Sequence, residues 1–365
     1  MTSPPVTWTP FIGVDEWSVL TMVAELQALD AEPDARAGLL SSPDFDHGRL
    51  IEHAMRHKLG AALADFVTRH GLRRSIPVPL RNPLYGLLQA AQHRSAVLTR
   101  HAVAISTHLQ AVGLSFAWTK GVVAQTALYD NSGVRVFNDI DLMIHPRHRG
   151  ELRSELLELG FIADNVWDPA TKTLVPRSRT ELRTYQLSPD HLPHFHRVVA
   201  DLLVPVVIVD VANSLTWHNA PWTVPMDPVM DTRRTDPELP VLSAEYSFLF
   251  TCLHLFREGW LDRFTRIKGI ALALFGDVLR EWRRLDAAAR KSVGQIIGEH
   301  DLFRPMAWVC RHTDLLFDTT IADELDLLEY AAPEWLAEAM GADGRTFHRP
   351  GGSTALLGGP ASHAH

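Results

Sequence analysis

The chain has 365 residues, 46% of them hydrophobic, and carries a formal net charge of −8 at pH 7. This length and composition are typical of a globular protein with a large core, in two domains or in one domain with added helices. The acidic balance argues against a protein that coats nucleic acid, although it is compatible with a local basic patch, so nucleic acid is a less favoured partner.

The chain shows no sequence signal for export or membrane insertion. Residues 1–5 lack the basic and apolar regions of a signal peptide, and no apolar run approaches the roughly 20 residues that span a bilayer. The two cysteines, Cys252 and Cys310, lack partners at metal-ligand spacing, which argues against a disulfide framework or a zinc knuckle. We therefore expect a cytoplasmic protein with no membrane partner.

Helical periodicity dominates the N-terminal part of the chain. Apolar residues recur at helical spacing over residues 14–30 and 48–69, which predicts two amphipathic helices. A proline-rich break then precedes a long helical pattern over residues 84–112. We interpret residues 1–112 as an N-terminal helical region.

Two carboxylates project from one predicted strand. Residues 139–144 read Asp-Ile-Asp-Leu-Met-Ile, so acidic and aliphatic side chains alternate. Because side chains two apart on a strand share a face, Asp139 and Asp141 project together. Hard cations such as Mg²⁺ bind to carboxylates of this kind, usually together with the phosphates of a substrate. The spacing therefore predicts a divalent-cation site.

A strand-to-helix turn precedes these carboxylates. An apolar run from Leu114 to Trp118 meets Thr119, Lys120 and Gly121, after which the pattern becomes helical. Glycine allows the backbone N–H groups at the start of the helix to meet an anion, and the lysine adds a positive point charge. The turn therefore predicts a phosphate site next to the cation site.

The following segment predicts a β-α-β-α-β pattern. Residues 147–159 predict a helix and residues 161–162 a strand, whereas residues 166–180 are polar and without periodicity, which indicates a long loop. Residues 182–187 predict another strand. The segment 191–196 holds three histidines, for which a metal site or a general base competes with an ordinary loop at the domain edge.

A third acidic candidate lies near the end of a β-branched run. Residues 206–211 predict a strand that is apolar on both faces except at Asp210. Burying this carboxylate unpaired would cost several kcal/mol, so it needs a cation, hydrogen bonds or water. A metal shared with Asp139 and Asp141 would supply the cation, whereas a turn through Asn213 would supply hydrogen bonds.

The rest of the chain divides into a connector, a helical region and a tail. Residues 213–241 are rich in Pro and Trp, which indicates a surface connector, and residues 213–340 together form the predicted C-terminal helical domain. Residues 341–365 are rich in Gly, Pro and Ser, which predicts a disordered tail. The predicted C-terminal helices are 244–256, 261–275, 278–300, 302–317 and 320–340.

The motifs together resemble those of a known family. They stand in the order Lys120-Gly121, Leu128-Tyr129, and Arg135-x-x-x-Asp139-x-Asp141-Leu142. This order resembles the uncharacterised nucleotidyltransferase family of the polymerase-β-type superfamily and, less closely, the nucleotidyltransferase toxins of abortive-infection systems. The resemblance implies an α+β fold with a small mixed-sheet core over residues 113–212, flanked by N-terminal and C-terminal helical layers.

The resemblance also implies roles for the acidic residues. Asp139 and Asp141 would hold Mg²⁺ or Mn²⁺, and Asp210 would complete the metal site and activate the acceptor hydroxyl. All three are thus candidate catalytic and metal-binding residues.

The resemblance likewise implies a nucleotide-binding set. Lys120 and Gly121, with the start of the following helix, would bind the triphosphate, and Arg135 matches the arginine of the family. The sequence departs from the family in two places. Ala212-Asn213 stands where the family has His-Trp, and Lys268-Gly269 stands where a C-terminal helix of the family carries an aspartate.

The implied reaction moves a nucleoside monophosphate from an NTP, with ATP favoured, to an acceptor hydroxyl and releases pyrophosphate. The acceptor is a small molecule, a peptide or a protein. Two alternatives stay open: a toxin-like enzyme that modifies RNA or tRNA, and a degenerate core that binds a nucleotide or a partner without turnover. The intact acidic pair with Lys120 argues against degeneracy.

Overall fold

The computed structural model describes residues 12–26, 35–186, 190–236, 238–262, 264–265, 269–341, 343–349 and 356–357. Its helices are, in chain order, α1 (Val14–Leu26), α2 (His47–Arg56), α3 (Gly60–Arg69), α4 (Val78–Ala111), α5 (Lys120–Ala127), α6 (Arg149–Glu158), α7 (Arg179–Gln186), α8 (Met226–Asp231), α9 (Ala244–Trp260), α10 (Leu272–Arg284), α11 (Ala287–Glu299), α12 (Phe303–Phe317), α13 (Ile321–Glu324) and α14 (Pro333–Ala337). Its strands are β1 (Phe116–Thr119), β2 (Ile140–Ile144), β3 (Asn165–Asp168), β4 (Thr173–Pro176), β5 (Phe195–Val198), β6 (Val206–Ala212), β7 (Arg234–Asp236), β8 (Leu239–Val241), β9 (Glu338–Met340) and β10 (Thr346–His348).

A six-stranded mixed sheet carries the acidic residues. Its strand order is β5-β6-β2-β1-β8-β7. β2 pairs with β1 antiparallel and with β6 parallel, and β1 pairs with β8 in parallel. Every residue of β2 is buried. The strand that leads out of the Asp139–Asp141 motif is therefore an interior strand of the sheet.

The described residues form two apolar cores. One core packs helices against the sheet, and its fully buried members include Leu98, Trp118, Leu142 and Phe195. The other core joins helices from both ends of the chain, with buried side chains that include Leu20, Leu63, Phe248 and Trp308. Burying one such side chain contributes roughly 1.5–3 kcal/mol. The N-terminal and C-terminal helices thus stabilise each other directly.

The predicted α+β class, with a mixed sheet and flanking helices, is confirmed. The division of the chain into domains stays a prediction. The helix expected over 48–69 is two helices, α2 and α3, because Lys58 between them has a left-handed backbone conformation with φ 60°. The helix expected over 84–112 begins earlier, at Val78, where Pro79 occupies the first turn and needs no N–H partner.

The C-terminal helices begin and end at other residues than expected. The expected helices 261–275 and 278–300 would be separated near residue 276, but the observed separation lies between α10 and α11. There the Asp286 side chain accepts a hydrogen bond from Ala289 N at 2.8 Å and so caps α11. The helix expected over 320–340 is divided into α13, a 3₁₀ turn at Leu328–Tyr330, α14 and strand β9. Part of the segment expected as helix 261–275 lies outside the described residues.

The strand expected over 182–187 is wrong, because residues Arg179–Gln186 form helix α7. Ser178 Oγ accepts a hydrogen bond from Glu181 N at 3.2 Å, and Glu181 Oε2 accepts one from Ser178 N at 2.8 Å. This reciprocal pair is a capping box, which satisfies two N–H groups at the start of a helix. The Ser-x-x-Glu spacing is visible in the sequence and predicts the helix.

The long loop expected over 166–180 is also wrong. β3 and β4 form an antiparallel hairpin in which Val166 pairs with Val175. At its turn, Asp168 accepts a hydrogen bond from Ala170 N at 2.9 Å, and Lys172 has φ 53°. These turn interactions close a hairpin that the polar composition does not indicate.

The segment 213–241 is more than a surface connector. It contains α8 and the strands β7 and β8, and β8 pairs with β1 within the main sheet. Three-residue strands are too short for periodicity to reveal them. The sheet therefore extends beyond residue 212, the expected end of the α/β core.

The expectation of a disordered tail is wrong for the described residues beyond 341. β10 pairs antiparallel with β9, and Leu357 is fully buried. The Arg349 side chain donates hydrogen bonds to the carbonyl oxygen of Gly259 and, at 3.1 Å, to Thr265 Oγ1. These contacts attach the tail to the end of α9.

Removing residues 342–365 is therefore expected to lower the free energy of unfolding by about 2–5 kcal/mol, since it removes charged hydrogen bonds and one buried leucine. Urea denaturation followed by circular dichroism measures the change. Arg349→Gln should reproduce part of the loss, whereas Arg345→Gln is the control, because the Arg345 side chain is 89% exposed. An unchanged transition midpoint after truncation would show that the tail contributes nothing.

Candidate active site

The three predicted acidic residues converge at one place in the sheet. β2 and β6 pair in register, so that Asp141 lies directly opposite Asp210. Side chains at paired positions of neighbouring strands point to the same face. Asp139, just before β2, adds a third carboxylate, and one oxygen from each of the three lies within 4.8 Å of the others.

The environment acts differently on the two strand carboxylates. Burial, aided by the two neighbouring carboxylates and opposed by the charge of Lys120, raises the pKa of Asp141 to about 7. Burial also disfavours the ionised form of Asp210, but His194, whose Nε2 lies 3.4 Å from Asp210 Oδ1, holds the pKa of Asp210 well below its usual range. The site thus concentrates negative charge that a cation would offset.

The three residues fit a divalent metal ion. Carboxylate oxygens are the ligands that Mg²⁺ and Mn²⁺ prefer. Oδ1 of Asp210 is buried without a hydrogen-bond partner among the described residues other than the His194 ring, whose Nε2 lies 3.4 Å away. A buried acceptor oxygen with at most this one donor is what a metal ligand would look like in this position.

Lys120 is the first residue of α5 and reaches the acidic cluster. Its Nζ lies 2.6 Å from Asp141 Oδ1 and 5.5 Å from the centre of the Phe250 ring on α9. Burial lowers the pKa of Lys120, but the neighbouring carboxylates outweigh burial and raise the pKa above its usual value. The lysine therefore stays charged at the start of a helix that faces the acidic residues.

Gly121 allows a close approach between α5 and the segment that leads to Asp139. A Cβ atom at this position would lie 2.8 Å from Cβ of Phe137, which no ordinary contact allows. The sequence predicted Gly121 as a backbone contact for phosphate. The packing gives this glycine a second role, because Asn138 and Asp139 directly follow Phe137 and depend on its position.

Arg135 is held by a buried hydrogen-bond network. Its Nε and Nη2 donate to Asp277 Oδ2 on α10 at 3.1 and 2.7 Å, and Tyr129 OH donates to Asp277 Oδ1 at 2.7 Å. Arg280 donates to Tyr129 OH at 2.8 Å and to the carbonyl oxygen of Ala24 at 2.6 Å. The network joins the segment before Asp139 to helices from both ends of the chain.

A cavity of about 1100 Å³ opens in front of the acidic residues. The acidic cluster, Lys120, Gly121 and Arg135 all line it, so the structure brings every predicted site residue to one space. Pockets for small molecules usually measure about 300–1,000 Å³. The cavity therefore has room for a nucleotide together with part of a second substrate.

Helices α9 and α10 supply lining residues that are not among the predicted site residues. On α9, Thr251, His254, Arg257 and Glu258 line the cavity, and on α10, Asp277 and Glu281 do so. Thr251, His254 and Glu258 on α9, and Asp277 and Glu281 on α10, are spaced three or four apart among apolar neighbours, and Arg257 lies next to Glu258. This spacing places them on one side of each helix. On α9, this polar stripe in an otherwise apolar helix is visible in the sequence, and it indicates a face that lines a polar cavity.

Two of the three histidines in the segment 191–196 reach the cavity. His191 and His194 line it, whereas His196 is buried in the sheet and its Nδ1 lies 3.2 Å from the His194 carbonyl oxygen. Ala212-Asn213, the first departure, follows Asp210 directly. Lys268, part of the other departure, lies outside the described residues.

Comparison with protein families agrees with this geometry. A family model described as "Uncharacterised nucleotidyltransferase" matches residues 43–318, which is more than half of the chain. The chain belongs to this family. No curated protein matches the chain.

Membership makes the protein an enzyme of the transferase class that acts in nucleotidyl transfer, with a nucleotide as substrate. The matched range contains the whole acidic cluster, Lys120, α9 and α10. Among the described residues of this nucleotidyltransferase, no helix is long and apolar enough to cross a membrane.

The Arg135–Asp277 pair is expected to stabilise the nucleotidyltransferase strongly. Their side chains are 12% and 5% exposed, so Asp277→Asn should lower the free energy of unfolding by about 3–5 kcal/mol, because the arginine loses its buried counter-charge. In a double-mutant cycle with Arg135→Gln, urea denaturation should give a coupling energy of about 1–3 kcal/mol.

The control for this cycle is the more exposed pair Arg290–Glu324, whose side chains are 33% and 40% exposed. Neutralising either partner there should cost less than about 1 kcal/mol. A coupling energy near zero for Arg135 and Asp277 would contradict the network.

Proposed function

We propose that the protein is a metal-dependent nucleotidyltransferase that moves a nucleoside monophosphate from an NTP to an acceptor hydroxyl. The observation that carries this proposal is the convergence of Asp139, Asp141 and Asp210 in front of the helix that Lys120 begins. Paired carboxylates next to a helix N-terminus with a lysine are suited to a metal ion and a phosphate chain.

In the proposed reaction, the acceptor oxygen forms a bond to the α-phosphorus of the NTP. The bond between this phosphorus and the oxygen that bridges to the β-phosphate breaks, and pyrophosphate leaves with the electron pair. Asp210 accepts the proton of the hydroxyl. The pKa of Asp210 is held low, so the residue is ionised at neutral pH, as a metal ligand requires.

Asp139, Asp141 and Asp210 would hold Mg²⁺ or Mn²⁺, which would neutralise charge on the attacking and leaving oxygens. Lys120 adds a fixed positive charge, and the N–H groups at the start of α5, including that of Gly121, contribute the positive end of the helix dipole. Preorganised charge of this kind is the main source of catalysis in phosphoryl transfer.

Arg135 lines the cavity, and we propose that it contacts the nucleotide there. Its guanidinium group donates two hydrogen bonds to Asp277, so in this proposal it positions the segment that leads to Asp139 as well as contacting the nucleotide. The acceptor that we favour is a small molecule, a peptide or a protein in the cytoplasm, and ATP is the favoured nucleotide.

Incubation with each α-labelled NTP and Mg²⁺ or Mn²⁺, in a lysate depleted of RNA or with a tRNA pool, tests the proposal. Label in small molecules, peptides or proteins would support it, and label in tRNA would support the toxin-like alternative. Nucleotide binding without any transfer of label would favour a binding protein without turnover.

Asp139→Asn and Asp141→Asn are each expected to abolish transfer while the protein stays folded, because each removes a charged metal ligand. Loss of Mn²⁺ binding, measured by calorimetry, should accompany the loss of transfer. Asp164→Asn provides the control, since this aspartate is exposed and only approaches Arg153 at 3.4 Å. An active Asp141→Asn enzyme at ordinary Mg²⁺ concentrations would refute the metal assignment.

Asp210→Asn separates the chemical step from binding. The variant should retain NTP binding, to which Lys120 and the other two acids contribute most, but transfer should fall by about 10²–10⁴-fold, because proton transfer by a positioned side chain contributes that much. Single-turnover kinetics and calorimetry measure the two effects. A rate within a few fold of the wild type would mean that this aspartate only caps a turn.

A further inference from the structure

The face of α9 that carries the polar stripe forms a wall of the cavity. α9 is otherwise apolar, with residues such as Phe248, Leu249 and Phe256 buried in the helical core. A buried helix that turns a cation and other polar side chains toward a cavity does so at a desolvation cost. This cost points to a polar ligand in the cavity.

Lys120, which begins α5, lies against one end of this face of α9, and Arg257 lies at the other end. Nζ of Lys120 lies over the ring of Phe250 on α9, and the ring of His254, one turn further on, has its centre 6.1 Å from that of Phe250. Arg257 follows three residues after His254 and seven residues after Phe250, and seven residues of helix span about 10 Å. The two cations therefore stand at opposite ends of one short helical face.

Arg257 also reaches the end of the sheet. Its Nη1 lies 3.9 Å from Asp190 Oδ2. The carbonyl oxygen of Asp190 accepts a hydrogen bond from Asn213 N, just beyond the strand that carries Asp210. The guanidinium group lies over the Phe264 ring at 5.0 Å, and both residues line the cavity. The arginine is thus oriented by its neighbours near the end of the strand that carries Asp210.

We propose that Arg257 binds the β- and γ-phosphates of the nucleotide, at the end of the α9 face away from Lys120. The proposal rests on the proposed function, because it assumes a triphosphate in this cavity. A guanidinium group offers a planar fork of donors that binds phosphate in a bidentate way.

Two other arginines that line the cavity have hydrogen-bond partners on other elements. Arg135 donates two hydrogen bonds to Asp277, and Arg94 donates to the carbonyl oxygen of Leu203 at 3.3 Å. Lys120 already faces three carboxylates, so its single charge leaves most of the charge of a triphosphate without a partner. Arg257 supplies a second cation within the same wall.

Calorimetry with inorganic pyrophosphate and Mg²⁺ tests the proposal without assuming which base the enzyme prefers. Arg257→Gln should weaken pyrophosphate binding by about 10–100-fold, as expected for the loss of charged hydrogen bonds. Arg257→Lys should lose less, because it keeps the charge but not the fork. Melting temperatures of both variants show whether the fold is retained. If the glutamine variant unfolds, the pyrophosphate affinity of the lysine variant tests the proposal.

Arg290→Gln is the matched control, because Arg290 is also stacked on an aromatic ring, Trp282, and paired with a carboxylate, Glu324. Its pyrophosphate affinity should stay within twofold of the wild type. Unchanged affinity in Arg257→Gln would overturn the proposal, as would a wild-type protein that binds no pyrophosphate.

The two proposals fail in different ways. If the wild type transfers label from an NTP and Arg257→Gln keeps its affinity and its KM for the NTP, only the phosphate assignment is wrong. If pyrophosphate binds through Arg257 but no label is transferred to any acceptor, the phosphate site stands and the proposed reaction is wrong.

Discussion

The parallel pairing of β2 with β6 is the constraint on which the candidate site depends. It places Asp141 opposite Asp210 in the interior of the sheet, on two strands whose other side chains are apolar. Two buried carboxylates at neighbouring positions repel each other, and water cannot solvate them fully. Lys120 and His194 offset part of this repulsion through their contacts with one carboxylate each. The register therefore places two carboxylates where a cation between the strands would offset the remaining repulsion.

The helices from the two ends of the chain stabilise this arrangement together. They share one apolar core, and the network from Arg135 through Asp277, Tyr129 and Arg280 to Ala24 fixes the segment before Asp139 between them. Such buried networks are stabilising only when each polar group has its partner. The position of the first metal-binding candidate therefore depends on residues more than a hundred positions away in the sequence.

Local pattern predicted the parts of the site that lie on single elements. Alternation identified Asp139 and Asp141, and a β-branched run located Asp210 once the family resemblance implied a third carboxylate, since each signal is contained in a few adjacent residues. The pairing of Arg135 with Asp277 depends on how distant helices pack, and no local pattern carries that information. The strand expected over 182–187 failed for another reason, because the capping box at Ser178 and Glu181 outweighed the apparent β pattern.

The side of the cavity that α9 and α10 line contains carboxylates, yet the charges on that side are suited to binding a phosphate chain. Asp277 is neutralised by the two hydrogen bonds from Arg135. Burial, with Asp277 nearby, raises the pKa of Glu281 to about 8, so this side chain is mostly protonated at pH 7. It accepts hydrogen bonds from Thr251 and Ser247 through the same oxygen, Oε1. Glu258 on α9 also lines the cavity, and its Oε1 lies 3.4 Å from His254 Nε2. Apart from this carboxylate, the helix side presents cations and neutral or paired polar groups to the rest of the nucleotide, and the remaining negative charge of the cavity lies on the sheet side, where a metal would bind.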